Sequence, residues 1–154
     1  MKHLLTLALA LFLALPAFAQ TPEEAIKKVC LAETQAWLDN DLNAWAATHA
    51  QHENETAAWT NDDGSNQHLV GWANIYPVVK DMAATMQKNP SKLAADNFKT
   101  IVQGSMAFAM YDQSLTDAAG KVSKSREHRV LVLKDGQWKI AAVMAFYEMA
   151  AAKK

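Results

Sequence analysis

A chain of 154 residues with 51% hydrophobic content suits one domain with a real core rather than several. Near-equal basic and acidic counts leave a formal charge of −1, which excludes a broad nucleic-acid-binding surface. A single cysteine, Cys30, excludes an internal disulfide.

The first 19 residues stand apart. Met1-Lys2 is a short basic start, Leu4–Leu15 an apolar run, and Ala17-Phe18-Ala19 a small-residue cleavage pattern before Gln20. The run is too short and wrongly flanked to span a membrane, so it reads as a signal peptide. No cysteine follows it closely to carry a lipid anchor. The expectation is a secreted or periplasmic protein, a single domain over residues 20–154, with no membrane association after signal removal. Cys30 then sits unpaired in oxidising surroundings, which suits a small buried helix residue better than a reactive thiol.

Thr21-Pro22-Glu23-Glu24 starts a helix: Thr21 caps, Pro22 fits the first position and Glu24 completes a capping box. Ala25, Ile26, Val29, Ala32, Ala36 and Trp37 recur at helical spacing to about Leu38. Asp39-Asn40-Asp41 breaks that helix and caps a shorter one, with Leu42, Trp45, Ala46 and His49 on one face. Glu55–Thr60 is a short strand with Trp59 turned inward. Asn61–Asn66 has the look of a calcium loop but lacks its regular acidic spacing and closing Glu, so it reads as a solvated loop. Gly71 to about Lys88 is a third helix, with Asn74 as cap, Pro77 in the first turn, and Val79, Met82, Ala83 and Met86 inward. Phe98–Val102 is a strand, turned by Gln103-Gly104-Ser105 into a longer one, Met106–Leu115. On that strand Ala107, Ala109, Tyr111 and Gln113 share one side, and Met106, Phe108, Met110 and Asp112 the other. A loop from Thr116 to Gly120 leads into the last hairpin, and residues after Tyr147 form a frayed tail.

That hairpin, Ser125–Tyr147, turns at Asp135-Gly136, the strongest short signal for a type I′ turn. Pairing Lys134 with Gln137 sets Leu133 against Trp138, Leu131 against Ile140, Arg129 against Ala142 and Glu127 against Met144, all on one face. The other face carries His128, Val130, Val132, Lys139, Ala141, Val143, Ala145 and Tyr147. Helix, helix, strand, helix and then four strands argues for an α+β fold with helices packed on one sheet face.

Several short stretches, in order, resemble the nuclear transport factor 2-like superfamily, close to its SnoaL-like and calmodulin-dependent kinase association-domain branches. Asp41-Leu42-Asn43-Ala44-Trp45 is similar to the family's helix elbow, and Leu69-Val70-Gly71 to the entry of its third helix. Gly104-Ser105-Met106-Ala107 is similar to a strand entry, and Glu127-His128-Arg129-Val130 with Asp135-Gly136-Gln137-Trp138-Lys139-Ile140 to the closing hairpin. The resemblance implies a curved antiparallel sheet wrapped round three N-terminal helices, a cystatin-like cone with a pocket at its open end. It implies that Tyr111, Gln113, Glu127 and Arg129 line the pocket, with Trp45, His49, Trp59 and Tyr76 on the helical wall. Met144 faces the same space by the hairpin register. Where the family often places inward histidines after its W-x-I, this chain has Ala142 and Met144.

Two residues apart on one strand face, Glu127 and Arg129 can interact, which favours the ionised carboxylate and makes Glu127 a poor general acid. Two readings stand. Either Arg129 holds an anionic group of a ligand, assisted by Gln113 and Tyr111, or the pair only orders the strand. Isomerase or dehydratase chemistry needs a desolvated, unpaired carboxylate and a facing donor; Glu127 or Glu53 with Tyr111 makes an incomplete set, and Asp112 points to the other face. His49, His52 and Glu53 form H-x-x-H-E, but further metal ligands at convincing spacing are missing, so no metal or cofactor is expected. The opposite sheet face, with Met106, Phe108, Met110, Val130, Val132, Ala141, Val143 and Ala145, is too apolar for water and predicts a homodimer. The sequence thus predicts a domain that binds a small organic molecule, with no assigned reaction. An isomerase- or dehydratase-type enzyme and a structural dimerisation module are the alternatives.

Overall fold

The computed structural model describes residues 20–61 and 63–147; the signal peptide and frayed tail expected from the sequence lie outside the described residues. In chain order the elements are α1 (Pro22–Leu38), α2 (Leu42–Thr48), β1 (Thr56–Thr60), β2 (Asn66–Val70), α3 (Trp72–Thr85), β3 (Lys92–Gln103), β4 (Met106–Thr116), β5 (Val122–Lys134) and β6 (Gln137–Tyr147). The six strands form one curved, unclosed sheet in the order β2-β1-β6-β5-β4-β3. Every neighbouring pair is antiparallel except β1 and β6, which run parallel.

The capping box at the start of α1 forms as the sequence predicts. Thr21 Oγ1 accepts from the Glu24 amide and Glu24 Oε2 from the Thr21 amide, each at 3.2 Å. The apolar stripe of α1 then lies against β3, β4 and β6. Ile26 and Cys30 are fully buried there with Ala107, Ala109, Leu131 and Ile140. Burial pushes the Cys30 thiol up to about 12, so it packs as an apolar side chain and is not a nucleophile. At the elbow Asn40 takes a left-handed φ of 55°. Its amide nitrogen donates to the Ala83 and Met86 carbonyls, tying the end of α3 to the end of α1. Asp41 caps α2 through the Ala44 amide at 2.9 Å. A second apolar cluster, around Trp45, Ala57, Ile75 and Val79, joins α2, β1 and α3.

Several expectations are corrected. Residues 66–70 form a strand, β2, where the sequence shows only a polar loop running into Leu69-Val70. As an edge strand with Asn66, Gln67 and His68 it lacks the apolar alternation that marks a strand. β3 begins at Lys92, earlier than Phe98, and carries an irregularity between Asp96 and Lys99. Helix α3 ends at Thr85 and is capped by Gly71 instead of Asn74, which leaves Pro77 inside the helix. Gly71 has φ +87°, and a β-carbon there would sit 2.9 Å from the Glu53 carbonyl oxygen, so only glycine fits.

The correction with most consequence is in β6. Asp135 and Gly136 take φ of 50° and 74°, as the turn requires, and Leu133 pairs with Trp138 and Leu131 with Ile140. Beyond these pairs Val130 faces Ala142, leaving Ala141 as an extra residue. Past this bulge Arg129 pairs with Val143 and Glu127 with Ala145. Val143 and Ala145 therefore share the concave face with the charged pair, and Met144 pairs with His128 on the convex face. The expected inward position of Met144 and the expected outward positions of Val143 and Ala145 are all reversed.

Candidate functional site

The concave face of the sheet and the helices above it enclose a cavity of about 470 Å³. Its walls come from Trp37 and Leu38 on α1, Trp45 on α2, Trp59 on β1, Val79 and Met82 on α3, and Val143, Ala145 and Tyr147 on β6. Its floor is polar: Glu33 and Thr34 from α1, His49, Gln113 from β4, and Glu127 and Arg129 from β5. A second hollow of about 590 Å³ lies between residues 50–55 and the β5–β6 turn. Polar groups there are already engaged: Glu55 turns to His49, and Lys134 Nζ donates to the Ala50 carbonyl. The 470 Å³ cavity, with its converging buried polar groups, is the candidate site.

Arg129 sits at the centre of the floor, 3% exposed. Its Nη2 donates to Glu33 Oε2 at 3.0 Å and its Nη1 to Glu127 Oε2 at 2.8 Å. Glu127 Oε1 also accepts from Ser125 Oγ at 2.5 Å, with Gln113 Nε2 at 3.5 Å. Glu33 Oε1 accepts from the indole of Trp45 at 3.0 Å. His49 follows, its Nε2 4.0 Å from Glu33 Oε1 and its Nδ1 2.5 Å from Glu55 Oε1. Glu55 is 1% exposed and its Oε2 accepts from the Gln51 amide at 2.7 Å. The result is a buried row of polar and charged groups from Ser125 to Glu55, hydrogen-bonded at each step except the 4.0 Å gap between Glu33 and His49.

Burial raises the Glu33 carboxyl, but the Arg129 guanidinium leads a set of opposing influences that leaves it below the usual carboxylate range. Burial lowers Arg129 in the same way and is outweighed, first by Glu33, so the guanidinium stays charged. Such a network is a weak argument for stability, since an apolar replacement often serves as well. It fixes geometry instead, and losing one member leaves the others uncompensated.

Of the residues singled out from the sequence, Trp45, His49, Trp59, Gln113, Glu127 and Arg129 line this cavity. Three expected residues do not. Tyr76 packs on Trp72, ring centroids 5.3 Å apart, in the second apolar cluster. Met144 is on the convex face because of the bulge. Tyr111 lies beneath the floor, stacked on Phe98 at 4.4 Å with the Arg129 guanidinium 5.9 Å from its ring. Its hydroxyl is buried without a hydrogen-bond partner among the described residues, and burial raises its pKa above the ordinary phenol range. Glu53 is exposed and His52 is exposed with Nδ1 accepting from the Asn54 amide, so H-x-x-H-E does not converge. The carboxylate-and-tyrosine set for isomerase chemistry is therefore not assembled: Glu127 is held by Arg129, and Tyr111 does not reach the cavity.

Glu33 and Glu55 are the site residues that sequence reasoning missed. Glu33 carried a signal, because it falls seven residues after Ile26 and four before Trp37, on the stripe that α1 buries. Glu55 carried none, since its partner His49 reaches it only through the turn after α2.

No protein-family model and no curated protein matches the chain. Solved structures do. A nuclear transport factor 2-like protein of unknown function from Pseudomonas putida superposes with a TM-score of 0.67 at 14% identity, over 84% of this chain and 89% of that one. A protein of unknown function with a cystatin-like fold from Nostoc punctiforme gives 0.66 at 11% identity, over 86% and 96%. The calmodulin-dependent kinase II hub of S. rosetta gives 0.65 at 15% identity, over 84% and 99%. The chain has the nuclear transport factor 2-like, or cystatin-like, fold that its elbow and closing hairpin resemble in sequence.

Proposed function

We propose that this domain is an exported, dimeric binding protein that holds a small organic molecule in the concave cavity. The observation that carries the reading is the cavity itself: about 470 Å³, with tryptophan walls over a floor of buried, mutually oriented polar groups. Ligand sites of this class are mostly apolar hollows with a few fixed polar groups. Export rests on the pattern of Met1–Ala19. Dimerisation rests on the convex face, where Phe108, Val130 and Ala142 form one cross-strand row and Met110, His128 and Met144 the next. The hub among the fold's neighbours is named for assembly, which agrees with using this scaffold as an association unit.

Filling the cavity tests the reading. Ala145 is 8% exposed, opposite Trp59 on the concave face. Ala145→Trp should occupy the space a ligand needs. Native mass spectrometry of the protein purified from its own host should show a bound small molecule in the wild type and none in the variant, with unchanged circular dichroism. Adduct-free wild type would count against it.

A second reading has one specific observation behind it. The 2.5 Å contact of His49 Nδ1 with Glu55 orients an imidazole at the cavity floor, the arrangement a general base uses. It makes proton transfer on a bound ligand the alternative role, with His49 in place of the Glu127 and Tyr111 pair.

A further inference from the structure

We infer that the ligand is a cation, a protonated amine or quaternary ammonium carried on an apolar body. The inference rests on the cavity being a ligand site and names what it selects.

The charge of the floor decides first. Glu33, Glu127 and Glu55 face one guanidinium and one imidazole. Glu55 lies behind His49 and does not line the cavity; of the lining groups, Glu33, Glu127 and Arg129 sum to a formal charge of −1 when His49 is counted as neutral. Among the described residues, Glu33, Glu127 and Arg129 are the charged groups that line the cavity, with His49 and Tyr147 as the other titratable ones, and no lysine or second arginine lines it. An unscreened excess charge in a water-poor hollow is costly unless something of opposite sign joins it.

The state of Arg129 decides second. Both of its terminal nitrogens already donate to carboxylates, Nη1 to Glu127 and Nη2 to Glu33. An incoming carboxylate or phosphate normally takes that two-toothed edge of a guanidinium. Here it finds the Nη1–Nη2 edge occupied and two like charges beside it, with Nε the one guanidinium donor left without a partner among the described residues. The reading of Arg129 as an anion holder therefore gives way to the reading of it as the tie between two acids.

An unsatisfied group points the same way. The His49 side chain is 1% exposed and lines the cavity, and its Nε2 has no hydrogen-bond partner among the described residues. With Nδ1–H given to Glu55, a neutral imidazole presents Nε2 as an acceptor, facing another acceptor, Glu33 Oε1, across 4.0 Å. A donor lodged beside that gap serves both; an anion serves neither. The walls suit the same guest, since Trp37 and Trp59 line the cavity and indole rings attract cations.

Three matched probes test this: 2-phenylethylamine as cation, 2-phenylethanol as neutral body and phenylacetate as anion, titrated at pH 7 with heat and tryptophan fluorescence as readouts. The amine should bind at least about tenfold more tightly than the other two. Glu33→Gln and Glu127→Gln each leave Arg129 one carboxylate partner, and each should remove that preference while the alcohol's affinity moves less than about twofold. Tightest binding of the alcohol or of phenylacetate overturns the cation inference and leaves the cavity standing as a ligand site. Binding of none of the three overturns both. An amine preference that survives both glutamine changes overturns the role given to the two acids. Should a variant fail to fold, the ranking of the probes on the wild type decides.

Discussion

The two faces of β5 reverse the ordinary rule of inside and outside. Its concave side presents Ser125, Glu127 and Arg129, all buried, before it reaches the apolar Leu131. Its convex side presents His128, Val130 and Val132, which are only partly covered within one chain. Charge inside and hydrocarbon outside is a poor plan for a protein that acts alone and has nothing to bind. It becomes sound when the inner face serves a guest and the outer face a second copy. The difference teaches that the fold's stability rests at the other end of the same strands, where Leu131, Ile140, Ile26 and Cys30 close a conventional core.

The strongest way to break that comparison is to neutralise the inner face at its centre. Arg129→Met keeps the length of the side chain and leaves Glu33 and Glu127 facing one another uncompensated. It should lower unfolding stability by about 3–5 kcal/mol, read from urea denaturation at pH 7. A loss under about 1 kcal/mol would show that the floor is less tightly coupled than its distances imply.

Acid sharpens the same point. Glu33 has a folded pKa below its ordinary 4.5 because Arg129 and its other partners outweigh burial. Its contribution is therefore whole above pH 4.5 and is lost as pH falls through the folded value. Urea midpoints measured from pH 7 down to pH 3 should decline less in Glu33→Gln than in the wild type. Parallel declines would assign the acid sensitivity to other carboxylates.

The outer face is probed by Val130→Asp, which places a charge in the row between Phe108 and Ala142. Sedimentation equilibrium should show a dimer becoming a monomer, with the stability of the single subunit changed by no more than about 1 kcal/mol. A variant that stays dimeric would move the interface elsewhere on the sheet.

Much of this was legible in the sequence, and the exceptions have physical causes. The turn at Asp135-Gly136 announces itself because both positions need positive φ. It sets the pairing as far as Leu131 with Ile140, and it places Glu127 and Arg129 together on the inner face. The bulge is illegible because Ile140-Ala141-Ala142-Val143-Met144-Ala145 is apolar at every position, so alternation says nothing about which side each residue takes. Glu33 was readable as a charge on a buried stripe; its meaning depended on Arg129, 96 positions away in the chain. Glu55 and His49 meet only through the turn that follows α2, a tertiary fact without local trace.

Ala141 also changes what a single-residue insertion or deletion means here. Before it on β6, even-numbered positions such as Trp138 and Ile140 point toward the helices; after it, odd-numbered ones such as Val143 and Ala145 do. Removing Ala141 joins Ile140 to Ala142, which restores strict alternation and keeps Val143 and Ala145 toward the helices and Met144 on the convex face; an insertion or deletion further along β6 exchanges the two sets instead. Chains one residue shorter at this spot should therefore keep the lining of the cavity and the convex row alike, whereas a length change beyond Ala142 should alter both together.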